Sequence, residues 1–268
     1  MGLSGGKGVM MGLVEGKVAV IFGVRNHRSL GWHIAQALHR EGATLAFTAR
    51  ERGVPRVREL AARGGMDATV YTCDVQHEAD IEAVFTALRK RHGGVDIVIH
   101  SIAGANRDDV GGRRFLETTR DDFTQALEVS SYSLISLARA AESLMRTRGG
   151  GSIVTLSYLG AERVVPNYNV MGVAKAALEC SVRYLAEDLG SSGIRVNAIS
   201  AGSYRSVAAR AIAGFAMMER HVVETAPLRR TVEGAEVGYA ALYLCSDRAR
   251  AITGEVLHVD CGYNVMTA

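Results

Sequence analysis

From Lys17 onward, short apolar runs rich in β-branched residues alternate with stretches of helical periodicity, and no other feature limits the fold as much. Residues 18–22, 44–48, 69–72, 95–99, 152–156, 194–199 and 254–259 read as strands. Several are apolar almost throughout, as strands are when helices cover both faces of a parallel sheet. Between them, residues 30–40 put Ile34, Ala37 and Leu38 on one side, and residues 81–91 do the same with Val84, Phe85 and Leu88. Strand followed by helix, repeated, predicts an α/β fold: a single-domain, doubly wound Rossmann-type sheet of about seven parallel strands, helices on both faces.

Composition narrows the functions open to such a chain. The 31 Lys and Arg are nearly matched by 28 Asp and Glu, net +3, which leaves no basic face for nucleic acid. Cys73, Cys180, Cys245 and Cys261 are far apart and form no C-x-x-C pair, so they read as reduced thiols of a cytoplasmic protein. No His or carboxylate spacing suggests a metal, and His221 with Glu224 is an isolated pair. Neither G-x-S-x-G nor a P-loop is present. Residues 1–13 are Gly-rich and interrupted by Lys7, which gives neither a secretion signal nor a membrane span. Residues 1–15 are therefore expected to form a flexible leader, and residues 16–268 one dinucleotide-binding and catalytic domain. Residues 201–225 follow the sixth strand, beyond the carboxyl edge of the sheet, where a substrate lid would lie; an ordinary helix pair fits as well.

The strand ends carry the candidate nucleotide site. The first strand runs into Gly23 and a helix begins near Leu30, a departure from G-x-G-x-x-G. Gly23 lets the backbone turn sharply, and Ser29 offers a hydroxyl and an amide to a phosphate at a helix N-terminus, although a plain Ser N-cap would look the same. After the second strand an acid would accept hydrogen bonds from the ribose of NAD; Arg50 stands there instead, followed by Arg52 and Arg56, and leans the reading from NADH towards NADPH. Asp74 and Val75 follow the third strand, within reach of an adenine. Ser101, Ile102, Ala103 and Gly104 follow the fourth, small enough for a cofactor to approach closely.

The richest stretch is 157–175. A helix entered near Asn167 would set Tyr168 and Lys175, seven residues apart, two turns along one face. A phenol beside a cation has its anionic form favoured and donates more strongly to a developing oxyanion, while the Lys can also hold ribose hydroxyls.

Tyr158-Leu-Gly-Ala-Glu-Arg, then Pro-Asn-Tyr168-Asn-Val-Met-Gly and Lys175, resemble the enoyl-[acyl-carrier-protein] reductases of type II fatty acid synthesis, a branch of the short-chain dehydrogenase/reductase superfamily. The resemblance runs from Gly16 to about Gly262 and takes in Cys-Asp74-Val75, His-Ser101-Ile102, Ser-Ser-Tyr-Ser at 130–133 and Arg195-Val-Asn-Ala-Ile-Ser-Ala-Gly202. The commoner branch has Tyr-x3-Lys, but here the residue four before Lys175 is Met171. What the resemblance implies is NADH- or NADPH-dependent reduction of the trans-2 double bond of an enoyl thioester on acyl carrier protein, by a cytoplasmic homotetramer. Helices around 120–145 and 167–190 would be its interfaces. Tyr168 would bind the thioester carbonyl and its enolate, Lys175 the nicotinamide ribose, and Tyr158 the acyl pocket. Gly23, Ser29, Leu30, Asp74, Val75, Ser101, Ile102 and Lys175 would contact the cofactor. Arg205, Arg229 and Arg230 are candidates to meet the acidic carrier protein. The chain departs from the family at Ser203-Tyr204-Arg205-Ser206, where Pro, an aliphatic residue, Arg and Thr are usual; Ser206 keeps a hydroxyl for the carboxamide. It departs again at Gly104, usually aromatic, and at Asn106, usually Pro. Gly104 and Tyr204 thus stand with Tyr158 as substrate-mouth positions. A reductase of another enone or carbonyl in secondary metabolism, or a non-catalytic cofactor-binding paralogue, are the alternatives.

Overall fold

The computed structural model describes residues 11–206, 209 and 212–267. Residues 1–10 of the expected leader, and residues 207, 208, 210 and 211 of the expected lid, lie outside the described residues. Val14 is fully buried, and the Leu13 N–H donates to Glu41 Oε2 at 2.8 Å, so the packed domain starts a few residues before Gly16.

Strands β1 (Val18–Phe22), β2 (Thr44–Ala49), β3 (Thr69–Thr72), β4 (Ile97–His100), β5 (Gly151–Ser157), β6 (Ile194–Ala201) and β7 (Val256–Val259) form one sheet in the order β3-β2-β1-β4-β5-β6-β7. Every pairing is parallel. The crossovers are supplied by α1 (Leu30–Arg40), α2 (Val54–Arg63), α3 (Glu78–His92), the short α4 (Arg107–Val110), α5 (Arg120–Leu127), α6 (Ser133–Arg146), α7 (Val170–Gly190), α8 (Phe215–Thr225) and α9 (Gly234–Cys245). A π-helical turn, Glu128–Tyr132, joins α5 to α6. Local sequence agrees with these ends: α2 carries Pro in its first turn, and α3 opens on Glu78 and Asp80 and closes on Arg89, Lys90 and Arg91, opposite to its dipole at each end.

The period-two alternation of a strand divides the core into two layers. Ala19 and Ile21 of β1 join Ile34, Leu38, Phe47, Val57 and Leu244 on the side of α1, α2 and α9. Val20 and Phe22 join Ile81, Leu88, Leu134, Met145 and Val182 on the side of α3, α6 and α7. With both faces covered, polar chemistry is pushed to the strand ends.

β1 is the hinge of this order. The chain winds outward through β2 to β3, then crosses back to lay β4 on the free side of β1, with Phe22 opposite His100. The two strand ends separate there, leaving a crevice at the carboxyl edge. Gly23 continues β1 at φ +94, and a Cβ on it would overlap the carbonyl of Ser101, whose own N–H bonds Phe22 O at 3.0 Å. Gly23→Ala therefore strains the backbone and pushes the two strand ends apart. We expect it to lower the urea unfolding free energy by about 2 kcal/mol or more; a loss below about 0.5 kcal/mol would contradict this packing.

Candidate active site

The nucleotide half of the site lies in the β1/β4 crevice. Ser29 is the N-cap of α1, but its Oγ accepts from the N–H groups of Arg25 and Asn26, at 2.9 and 3.2 Å, instead of capping the helix. The first turn of α1 contains no acidic residue. The helix N-terminus is thus open to an anion, and the Ser29 hydroxyl proton is free to be donated. Ser101 and Ile102 are half-buried and Ala103 is exposed, along the loop leaving β4. Leu30 packs on the α1 core layer and Val75 on the other. This arrangement of a glycine turn, an uncapped helix N-terminus and small residues fits a dinucleotide.

Arg50 is exposed, and its Nη1 lies 3.8 Å from Asp74 Oδ2. The carboxylate that the sequence assigned to the adenine therefore also shares the Arg50 charge. Asp74 is held in turn by its own N–H on Asp80 Oδ2 at 2.8 Å.

In the catalytic half, Ser157 ends β5 and Tyr158 continues in extended conformation before the turn Leu159–Ala161. Tyr168 does not lie on α7, which begins only at Val170. Asn167 and Asn169, at φ 63 and 43, hold the segment in left-handed geometry that Asn tolerates and helix cannot continue through. The expected helical face carrying both Tyr168 and Lys175 is accordingly replaced by a turn that presents Tyr168 and a helix that presents Lys175. The Tyr168 ring, 8% exposed, meets Tyr158 edge to face at 5.0 Å and 72°. Tyr168 packs with Val110, Ala126, Val170, Met171 and Ala174.

Lys175 is buried, 4% exposed, with Nζ donating to Leu156 O at 2.7 Å. Burial pushes its pKa down to about 8 against the opposing charge of Glu179, one turn further along α7. Glu179 accepts a hydrogen bond from the Ser157 hydroxyl, and its own burial raises its pKa. Burial also raises the pKa of Tyr168, and the Tyr158 phenol raises it further. Tyr168 is thus a neutral donor: burial and the neighbouring Tyr158 phenol set its protonation, in place of the cation-favoured phenolate that the sequence suggested.

Several supporting residues were not singled out in the sequence. His100, fully buried at the end of β4, has Nδ1 2.7 Å from Thr155 Oγ1 and Nε2 2.8 Å from Ser133 Oγ. Ser133 Oγ also donates to Val129 O at 2.7 Å and Thr155 Oγ1 to His100 O at 3.3 Å, so each hydroxyl ties the ring to a backbone carbonyl. Burial and the Lys175 charge hold this imidazole neutral, with a pKa of about 3. Ser130, in the π-turn, accepts from Gly104 N–H at 3.0 Å. Gly104 is not open space: a Cβ there would lie 2.8 Å from Val129 Cγ1. Gly160 backs the Tyr168 ring so closely that a Cβ would overlap it. Asn106 caps α4 and donates to Asp122 Oδ1 at 3.1 Å.

Beyond β6 the expected lid residues separate. Ser203 is buried, and its hydroxyl counters the rise that burial gives the Tyr158 phenol pKa. Tyr204, expected at the substrate mouth, turns the other way, its hydroxyl 2.8 Å from His33 Nε2 on α1. It lines a half-open cavity of about 700 Å³ with His33, Arg205, Glu219 and Val223, which includes none of Tyr158, Tyr168 or Lys175. Ser206 accepts from Ala209 N–H at 3.0 Å. The three arginines considered for a carrier protein are engaged locally: Arg205 with Glu219, Arg230 with Glu236, and Arg229 with the carbonyl of Glu224. Among the described residues, no group of His, Cys, Asp and Glu is placed to hold a metal, and no helix is long and apolar enough to cross a membrane.

A family model described as enoyl-(acyl carrier protein) reductase matches residues 23–264. The enoyl-[acyl-carrier-protein] reductase [NADH] FabI of Bacillus cereus is 50% identical over 258 residues, 96% of this chain and 100% of the relative. The protein of the same name from Nostoc sp. is 51% identical, over 94% of this chain and 98% of its own. Among solved structures, the Bacillus cereus enoyl-acyl carrier protein reductase with NADP+ and indole naphthyridinone has a TM-score of 0.93 at 49% identity, covering 96% of this chain and 100% of that one. The Anaplasma phagocytophilum reductase in complex with NAD has a TM-score of 0.91 at 46% identity, covering 96% and 97%.

The buried ammonium has a measurable cost. The folded pKa of Lys175, about 8, lies below the ordinary 10.5, so the charged form is penalised in full below pH 8 and the penalty disappears as pH rises to 10.5. The shift corresponds to about 3 kcal/mol, of which the stranded Leu156 carbonyl would offset about 1–2 kcal/mol in a Lys175→Met variant. That variant should be about 1–2 kcal/mol more stable than the parent in urea at pH 7. Equal or lower stability would remove the penalty from the account.

Proposed function

The chain belongs to the enoyl-[acyl-carrier-protein] reductase family, and from that premise we propose how its own residues carry out the reduction of the trans-2 double bond of an enoyl thioester on acyl carrier protein. The observation that carries the reading is the neutral, buried Tyr168 phenol set edge-on to Tyr158, with the buried Lys175 ammonium on the helix that follows.

Tyr168 donates a hydrogen bond to the thioester carbonyl. A reduced nicotinamide, when bound, would supply hydride to the β-carbon, and solvent water would supply the proton that the α-carbon takes up as the enolate returns to thioester. As the charge of the hydride reaches the carbonyl oxygen, the Tyr168 bond strengthens, so its contribution is larger in the transition state than in the bound substrate. A neutral phenol suits this role, since a phenolate would have no proton to give. Lys175, bonded in the fold to one backbone carbonyl, retains N–H groups and positive charge for ribose hydroxyls. Tyr158 walls the acyl side, with its ring set edge to face on Tyr168. Gly23 and the N-terminus of α1 with Ser29 and Leu30 would receive the pyrophosphate, Asp74 and Val75 would serve the adenine, and Ser101, Ile102 and Ala103 would line the crevice. Ser206 offers a hydroxyl to the carboxamide. His100, bonded at both nitrogens, fixes β4 against β5 beside Lys175.

For the cofactor we read NADH rather than NADPH. Arg50 is paired with Asp74, and a 2′-phosphate brought to Arg50 would also meet that carboxylate. The names of the relatives specify NADH and one solved relative holds NAD, whereas the Bacillus cereus structure holds NADP+; the NADH reading follows the names and the Arg50–Asp74 pair over the lean to NADPH drawn from Arg50 in the sequence. Homotetrameric assembly belongs to the same reading and is supported by exposed Phe115, Leu116, Phe123 and Tyr132, before and along α5 and in the π-turn that follows it.

Two measurements test this. Tyr168→Phe should lower kcat on a crotonyl or longer enoyl thioester by about 10²-fold while the Kd for NADH stays within about twofold, and an unchanged kcat would refute the role given to Tyr168. In the parent enzyme kcat/KM for NADH should exceed that for NADPH by about tenfold or more, and Arg50→Ala should leave the NADH value within about twofold; a preference for NADPH lost in Arg50→Ala would overturn the cofactor reading.

A further inference from the structure

The segment leaving β6 is held from two sides by adjacent residues. Ser203 is buried, on the side of the Tyr158 phenol. Tyr204 points to the opposite side, where its hydroxyl lies 2.8 Å from His33 Nε2 and the rings meet edge to face at 5.8 Å and 87°. His33 sits four residues after Ser29, in the first turn of α1, the helix whose N-terminus faces the nucleotide crevice. The carbonyl of Tyr204 accepts the Ser206 N–H at 2.7 Å, so the residue that holds His33 also fixes the backbone turn that presents the Ser206 hydroxyl. Arg205, between them, is pinned to Glu219 on α8 through Nε at 2.7 and 2.8 Å. A proline ring at position 203 would stiffen this turn covalently; here noncovalent contacts do so instead.

Resting on the cofactor reading above, we propose that Tyr204 and His33 form a latch between the lid entrance and α1, and that Tyr204 is thereby a positioning residue for the dinucleotide, acting through Ser206 and the N-terminus of α1. The latch requires a polar atom at each end. Tyr204→Phe keeps the ring contact and removes only the hydroxyl; His33→Leu removes the partner; His33→Gln keeps a polar atom that can reach the phenol.

The test is NADH affinity, measured by fluorescence titration without acyl substrate, together with kcat, KM and thermal midpoint for each variant. Tyr204→Phe and His33→Leu should each raise the Kd for NADH by about 3- to 10-fold, the worth of one hydrogen bond, with a smaller change in kcat at saturating NADH. The double variant should be no worse than the weaker single, because one bond is lost in all three. His33→Gln should restore most of the affinity. An unchanged Kd in Tyr204→Phe would overturn the proposal, as would additive effects in the double variant. So would a His33→Gln variant as weak as His33→Leu, with the thermal midpoint falling in parallel. Should Tyr204→Phe fail to fold, the contrast between His33→Leu and His33→Gln decides alone. Failure of the parent to reduce an enoyl thioester would count against the activity reading and leave the affinity comparison standing.

Discussion

A parallel sheet contains no hairpins, so each strand must be followed by a crossover that returns the chain to the starting edge before the next strand can pair. Every strand then ends at the same edge, and the helices that follow present their N-termini there. In this molecule the chain exhausts one direction at β3 and begins the other at β4, with β1 paired on both sides. The crevice at that reversal exists because of strand order, and the contact of Gly23 with Ser101 shows how little space is left below it. Nucleotide binding and catalysis share this edge because no other edge of a covered sheet offers both backbone dipoles and room.

Burial of Lys175 is the second constraint, and it opposes stability. A charged group 4% exposed, with a backbone carbonyl as its hydrogen-bond acceptor and Glu179 as its nearest opposing charge, is maintained against desolvation by the packing of α7 on β5 and β6. The same desolvation keeps Tyr168 protonated. One cause therefore gives the site a donor and a cation together: the water that would favour phenolate, and would screen the ammonium, is absent. His100 extends this logic: burial and the Lys175 charge hold its imidazole neutral, so it adds no second charge there.

The strands were legible because burial on both faces writes itself as uninterrupted apolar runs, and all seven lie where those runs fall, to within a few residues at their ends. The choice of Tyr168 and Lys175 came from motif, and their local geometry was not legible there. Periodicity reports spacing, and it does not report the sign of φ at Asn167 and Asn169, which stops the helix short of Tyr168. The surroundings of Arg50 were hidden for a related reason: its partner Asp74 lies on another strand end, and pairing across β2 and β3 is invisible in a linear reading. Tyr204 is the extreme case, its partner His33 being 171 residues away. A bulky polar aromatic in a position usually aliphatic signalled a changed contact, but only the fold says that the contact is with α1 rather than with the acyl chain. Glu179 and Gly160 could have been suspected from their place one turn after Lys175 and next to Tyr158; nothing in their residue type announced a buried carboxyl or a ring packed on a backbone.

The central claim is that Tyr168 and Lys175 serve hydride addition to the β-carbon of an enoyl thioester. Mass spectrometry and NMR of the product formed from crotonyl thioester with 4-deuterated NADH in ordinary water test it most directly. The expected product is a butyryl thioester with one deuterium at the β-carbon and protium added at the α-carbon. A hydroxylated product, or deuterium anywhere but the β-carbon, would contradict the account.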